Sequence, residues 1–277
     1  MNKNVSLLAI SYVFGFTAAT ITVFLSGIIG SQIASIKSLA TLPTALTVVG
    51  TAVFAALAAK IMSKIGRKLG FILASLASSI TCLLAAYAIY DRNFILFCVA
   101  NLILGACMAF THQYRFAAAE SVEKDKAPKA ISIIMLSGIV AAFLGISSAN
   151  YTKDLFTDFQ YVGSYITLAI FMFMPTIFFL FYENKNISKT EFSKNHTGRS
   201  YFEIISQPRF LQAVIAAAFA YAIMSFLMTA TPMSMHLMEK MSLEKTGLVL
   251  QIHVAAMFLP SLITGHLIKK FGHSNII

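Results

Sequence analysis

Asn101, His112 and Arg115 are polar side chains inside a long apolar stretch, where burial without a partner is costly. With Gly105, Met108 and Ala119 they follow one another at steps of four, three, four, three and four residues. At about 100° per residue this confines all six to an arc of roughly 80° on one helix face. The opposite face carries Val99, Ile103, Phe110 and Ala117, which suits lipid or helix packing. The chemistry on offer is recognition. An amide donates and accepts, an imidazole takes up a proton, and a guanidinium meets an anion, a carboxylate or a water-filled cavity. For Arg115 the other reading is a side chain that snorkels to the surface, because Glu120 lies only five residues on. His253 is either a hydrogen-bonded packing residue or a substrate or proton site. Tyr221 and Ser225, four residues apart, are further cavity candidates.

Bond-breaking chemistry finds no support. The chain has no G-x-S-x-G, no H-E-x-x-H and no cluster of acidic ligands, so no enzyme is expected. Cys82, Cys98 and Cys107 sit in apolar stretches without disulfide or metal spacing, and neither a cofactor nor a metal is expected. All 11 acidic residues fall in loops or at the ends of apolar segments. A proton-driven transporter usually keeps a carboxylate within the membrane. Here only Glu120, His112 and His253 could substitute, so protons as a partner remain one option beside coupling in other helices or none.

These residues need elements to hold them. The chain is 58% hydrophobic and 12% charged, with a mean hydropathy of +0.77, too little polar surface for a soluble domain of 277 residues. The lipid bilayer is therefore its expected solvent. A helical span takes about 20 apolar residues, and eight segments qualify: 5–30, 39–61, 69–90, 94–119, 131–150, 161–182, 210–231 and 246–268. The first is too long for the core of a cleavable leader and reads as a retained span. Residues 183–209, rich in Asn, Lys and Ser, read as a linker between a bundle over 1–182 and an incomplete one over 210–277.

Charge sets the orientation. With the N-terminus inside, 16 of the 21 Lys and Arg lie on the inner side, leaving Lys37, Arg92, Lys153, Lys240 and Lys245 outside. This asymmetry predicts a cytoplasmic N-terminus in a multi-pass protein of the bacterial plasma (inner) membrane. The +10 net charge is then a topology signal, and nucleic acid is not an expected partner. The chain lacks Trp, so Tyr87, Tyr90, Tyr151, Tyr161, Tyr182 and Tyr201, near the span ends, are expected to form the interfacial belt.

One segment repeats. Ala59-Lys60-Ile61-Met62-Ser63-Lys64-Ile65-Gly66-Arg67-Lys68 returns, thinned, 206 residues later as Gly265-His266-Leu267-Ile268-Lys269-Lys270-Phe271-Gly272-His273. Each copy is expected to form a short basic loop after a pair of apolar segments. The shift aligns the first two spans with the seventh and eighth, which sets a unit of six helices and a whole of twelve.

This organisation resembles the major facilitator superfamily of secondary transporters. The family's signature after the second helix is a small residue, then Asp, a basic residue, Gly and two more basic residues. The match is Ala59, Lys64, Gly66, Arg67 and Lys68, with Ser63 in place of the Asp and Lys269 in that place in the second copy. Glu120 and Lys129 resemble the family's acidic end of the fourth helix and basic start of the fifth. Asn101, four before Gly105, is a poor match to an Arg that precedes a Gly by three in many members. Gly145 is followed by Ile146 where the efflux branch shows Gly-Pro.

The resemblance implies an all-α polytopic bundle: a six-helix N-terminal half plus the first two helices of the second. It also implies gate loops formed by Ser63, Lys64, Gly66, Arg67, Lys68, Glu120 and Lys129, and by Gly265, Lys269, Lys270 and Gly272. The expected activity is alternating-access movement of a small-molecule organic substrate, efflux ahead of uptake. The alternative is a truncated or split chain, inactive alone, that needs a second chain for the last four helices.

Overall fold

In hydrocarbon every backbone N–H and C=O must be satisfied within the chain, so apolar runs of this length fold as helices. The computed structural model describes residues 2–184 and 201–271, and among them no strand occurs. Eight helical stretches of the described residues are long and apolar enough to cross a membrane. The chain is thus an all-α polytopic bundle.

The helices are α1 (Lys3–Ile33), α2 (Leu42–Ile65), α3 (Arg67–Tyr90), α4 (Phe94–Thr111), α5 (Tyr114–Glu120), α6 (Ala127–Thr152) and α7 (Val162–Leu180), then α8 (Tyr201–Ile205), α9 (Pro208–Met233), α10 (Leu243–Phe258) and α11 (Ser261–Phe271). Local signals set the starts. The Asn2, Asn93 and Ser242 side chains accept from Asn4 N–H, Leu96 N–H and Lys245 N–H at the mouths of α1, α4 and α10. Between α2 and α3 the only non-helical residue is Gly66, at φ 85° and ψ 158°. A side chain is rarely accommodated there, so glycine permits the abrupt reversal.

α1 forms the centre and packs on α6, α7 and α4. α2 lies on α4, α3 on α7 and α4, and α10 on α6. The α2–α4 contact is close enough that a Cβ on Gly50 would meet the Leu102 carbonyl, and one on Gly105 the Thr47 carbonyl. Thr51 Oγ1 donates to the Gly105 carbonyl across the same contact at 3.0 Å. Two apolar clusters fill the bundle. One, around Leu8, Tyr12, Phe71, Tyr114 and Phe179, lies toward the side carrying the N-terminus. The other, around Ile21, Phe24, Phe97 and Tyr165, lies beyond it. α9 touches α1 and α10 but leaves Phe219, Ile223 and Phe226 exposed.

The structure departs from the sequence expectations at several points. The fourth span breaks at His112 and Gln113, where Gln113 N–H bonds back three residues to the Phe110 carbonyl and tightens the turn. The eighth breaks at Leu259 and Pro260, since proline offers no N–H to continue the ladder. Neither basic repeat is mainly loop: Ala59–Ile65 ends α2, and 265–271 belongs to α11. The linker 183–209 contains α8 and the start of α9. Tyr87, Tyr90 and Tyr151 are exposed as a belt requires, but Tyr161 and Tyr182 are buried in the packing. Ala117, assigned to the outward face, is also fully buried, because α5 packs against α6.

Candidate functional site

A cavity of about 300 Å³ opens between α1, α2, the α4–α5 break, α9 and α10. Four of the six candidate cavity residues line it: His112, Arg115, Tyr221 and Ser225. They come from two chain regions about 110 residues apart in sequence, which the docking of α9 onto α1 and α10 brings together. His112 sits in the break itself, and Arg115 follows in the first turn of α5.

Much of the lining has no signature in the stripe reading. α2 contributes Thr44, Thr47 and Thr51, and α1 contributes Tyr12, Thr20 and Thr22. The steps of three and four on α2 could have revealed its hydroxyl face. Apart from Met108, the cavity methionines (Met135, Met224, Met228 and Met257) lie outside the polar stripe as well. The rings of Phe16 and Phe258 meet edge to face at 5.7 Å, and the Tyr12 and Phe16 rings stack at 5.1 Å, giving an aromatic wall.

The polar groups in this lining are under-used. Thr22 Oγ1, Thr44 Oγ1 and Arg115 Nε are buried with no hydrogen-bond partner among the described residues. Arg115 has no ion pair among them either; its guanidinium carbon lies 5.0 Å from the Phe116 ring centre. Among the described residues the cavity lining contains no Asp or Glu. Chemically the site is an apolar, aromatic and thioether chamber with spare hydroxyl donors and one fixed positive charge.

Asn101 and His253 do not line the cavity. Asn101 is fully buried, its Nδ2 donating to the Phe97 carbonyl at 2.8 Å. Its Oδ1 accepts from Ser26 Oγ at 3.4 Å and Thr47 Oγ1 at 3.3 Å, and Ser26 Oγ lies 2.8 Å from Tyr165 Oη. Asn101 thereby ties α1, α2 and α4 together. His253 lies on α10 one turn before Met257, its Nε2 buried without a partner among the described residues.

A second constellation closes the face that carries the N-terminus. Arg67 donates from Nε and Nη2 to the two carboxylate oxygens of Glu120, both at 2.6 Å. Lys68 donates its backbone N–H to Asn184 Oδ1 and its Nζ to the Leu180 carbonyl. Asn4 and Glu183 exchange bonds, Nδ2 to carbonyl at 2.8 Å and N–H to Oδ1 at 3.2 Å, and Asn2 Nδ2 donates to the Ser121 carbonyl. Lys3 Nζ sits 2.7 Å from Glu183 and, by hydrogen bond and charge, holds that carboxyl below its ordinary pKa. These bonds join the ends of α1, α3, α5 and α7.

Lys129 is exposed and stands outside this network, and Glu120 pairs with Arg67 instead. Ser63 Oγ donates to the Lys60 carbonyl of its own helix, and Lys64 is exposed with no recorded partner among the described residues. In the second copy Gly265, Lys269 and Lys270 fall in α11 with side chains outside the described set, and Gly272 lies outside the described residues.

The family model of the Major Facilitator Superfamily matches residues 6–277. The riboflavin transporter RfnT of Brucella anthropi is 33% identical over 276 residues, covering 99% of this chain and 69% of that protein. Two uncharacterised transporters of Bacillus subtilis, YddS and YdeG, are 26% and 25% identical, each covered over 66% of its length. The chain thus spans about two thirds of the length of these relatives. No solved structure matches.

Proposed function

The chain belongs to the Major Facilitator Superfamily, and from that premise we propose that it carries a small organic solute across a bacterial inner membrane by alternating access, with riboflavin the first candidate. The observation that carries the reading is the meeting of His112, Arg115, Tyr221 and Ser225 in one cavity between the first six spans and α9–α10. Volume and lining suit a drug-sized solute: pockets of about 300–1,000 Å³ lined by apolar groups with a few polar ones are the usual kind. A planar ring system would lie against Phe16 and Phe258, and a hydroxylated tail would take up the unused Thr22 and Thr44 hydroxyls.

In this reading residues 1–182 and 210–277 rock about the cavity, with 183–209 as the linker. The excess of Lys and Arg on one side supports a cytoplasmic N-terminus. The Arg67–Glu120 pair ties the cytoplasmic end of α3 to that of α5, and the Asn4–Glu183 exchange ties the cytoplasmic end of α1 to that of α7. Among the described residues no carboxylate lines the cavity, so proton coupling falls to His112 in its lining or to His253 outside it. Asn101 serves by fixing the helices around the site.

A second reading is favoured by the exposure of α9: transport requires further helices against its free face, supplied in the same or another polypeptide. One experiment addresses both. Proteoliposomes containing the chain are loaded with riboflavin, or bathed in it, and flavin fluorescence is followed in each direction. Movement above empty liposomes supports the first reading. Saturable riboflavin binding without movement supports the second. Neither binding nor movement removes riboflavin as the solute.

A further inference from the structure

We infer that the cavity selects an elongated organic anion, which brings a carboxylate or phosphate to Arg115 at one end and hydrogen-bonding groups to Thr22 and Thr44 at the other. This selectivity rests on the reading of the cavity as the solute site, but the solute need not be a flavin.

Contacts along α1 fix the two ends. A Cβ on Gly15 would meet the Thr111 side chain at 3.1 Å, and the Tyr12 and Tyr114 rings lie 6.4 Å apart. The α4–α5 break, with Arg115 directly after Tyr114, therefore stands at the level of Tyr12 and Gly15. Farther along α1, Asn101 Oδ1 accepts from both Ser26 and Thr47, which places the start of α2 at the level of Ser26. Thr22 lies one turn before Ser26, and Thr44 one turn before Thr47. The rise of α1 from Tyr12 to Thr22 is about 15 Å. Arg115, Thr22 and Thr44 all line the cavity.

Each end is short of a partner. Thr22 and Thr44 are only 1% and 2% exposed, and neither hydroxyl has a hydrogen-bond partner among the described residues, nor has Arg115 Nε. Threonine in a helix can return its hydroxyl to a carbonyl of the preceding turn, as Thr47 does to Pro43, so hydroxyls left free in the wall are open to a ligand. Among the described residues no Asp or Glu in the lining balances the guanidinium. A charge in an apolar chamber without a counter-ion is costly. A bound oxyanion supplies that counter-ion, with acceptors that match the guanidinium fork. A cation would be repelled there, and a neutral solute would leave the charge unbalanced. The Phe116 ring, 5.0 Å from the guanidinium carbon, offsets only part of the cost. As a mere anchor at the membrane surface, Arg115 would give no preference between an anion and its neutral counterpart.

The test uses the whole chain in nanodiscs of neutral phosphatidylcholine, with empty nanodiscs as the blank and equilibrium dialysis as the measure of affinity. Riboflavin and its 5′-phosphate differ only in the phosphate. A second pair, 4′-hydroxybiphenyl-4-carboxylate and its carboxamide, poses the same choice without a flavin. The anion of at least one pair should bind about tenfold or more tighter than its neutral counterpart, the scale of one charged hydrogen bond. Arg115→Gln should abolish the preference, and Arg115→Lys should keep part of it. Thr22→Val with Thr44→Val should weaken both members of a pair alike and leave the preference standing. Melting curves identify any variant that fails to fold. Flavins left unbound while the biphenyl pair shows the preference would remove flavins as the solute and uphold the selectivity. Equal affinities within both pairs, a preference that survives Arg115→Gln, or no saturable binding of either anion would each overturn it.

Discussion

Arg67, the first residue of α3, grips Glu120, the last residue of α5, with two parallel hydrogen bonds of 2.6 Å. The fork geometry of guanidinium on carboxylate makes this the best-formed ion pair on the face carrying the N-terminus. It is partly screened, with the two side chains 23% and 41% exposed, so its worth lies at the upper end of surface pairs.

A double-mutant cycle should therefore find coupling between Arg67 and Glu120 of about 1 kcal/mol. Arg67→Gln and Glu120→Gln would each lower the unfolding free energy in detergent, and the double variant would lose less than their sum. Lys129→Ala, exposed and without an ion pair among the described residues, should shift stability by less than about 0.5 kcal/mol. Coupling between Glu120 and Lys129 instead would contradict the pairing described.

Asn101 is a structural tie. Its amide satisfies itself on Phe97, Ser26 and Thr47 in full burial. Asn101→Leu would remove the acceptor that joins Ser26 and Thr47 across the helices, leaving Thr47 Oγ1 only the Pro43 carbonyl and Ser26 Oγ only Tyr165 Oη, and would put an apolar side chain in the α1–α2–α4 contact. The expected loss is about 1–3 kcal/mol in unfolding free energy. Solute affinity per folded molecule should change little. A stable variant with lost affinity would move Asn101 into the binding site.

The Lys3–Glu183 pair gives a pH dependence. Glu183 has its pKa lowered by the Lys3 hydrogen bond and charge, so the folded chain prefers its ionised form. The resulting stability is fully present above the ordinary glutamate pKa of about 4.3 and is lost as pH falls through the lower folded value. Subtracting the melting profile of Glu183→Gln from that of the unaltered chain should show a gap at neutral pH that closes below about pH 4. Both groups are largely exposed, so salt should shrink the gap. A gap that widens on acidification would reverse the assignment.

The spans were readable from sequence because lipid imposes a single rule on all of them: some twenty apolar residues in a row. The cavity was only half readable. Period places His112 and Arg115 on one face, and both line the cavity, yet Asn101 on that same face ends in packing. Angular position around a helix does not say what stands opposite, and opposite Asn101 stand Ser26 and Thr47. The break at His112 has no proline or glycine to announce it. Glu120 also had a plausible partner in Lys129, nine residues on, but the turn at Gly66 presents Arg67 to it. Tyr161 and Tyr182 lie near span ends as interfacial residues do, but the packing of the bundle ends buries both.

Arg115 offers the sharpest test of the cavity. It lines the site, its Nε is buried without a partner among the described residues, and no acidic side chain there balances its charge. A positive group held in this way stabilises a solute that brings an acceptor or a negative charge. It contributes little to folding, because it forms no ion pair among the described residues. Arg115→Gln should therefore weaken solute binding by about tenfold, corresponding to roughly 1.4 kcal/mol. Its melting temperature should stay within a few degrees of the unaltered chain. Arg115→Lys should restore only part of the affinity, since a point charge on a flexible stem does not reproduce a planar fork. Titrating flavin fluorescence against the three proteins measures all of this. Unchanged affinity in Arg115→Gln would make Arg115 an anchor at the membrane surface and leave the hydroxyl face of α1 and α2 to carry recognition.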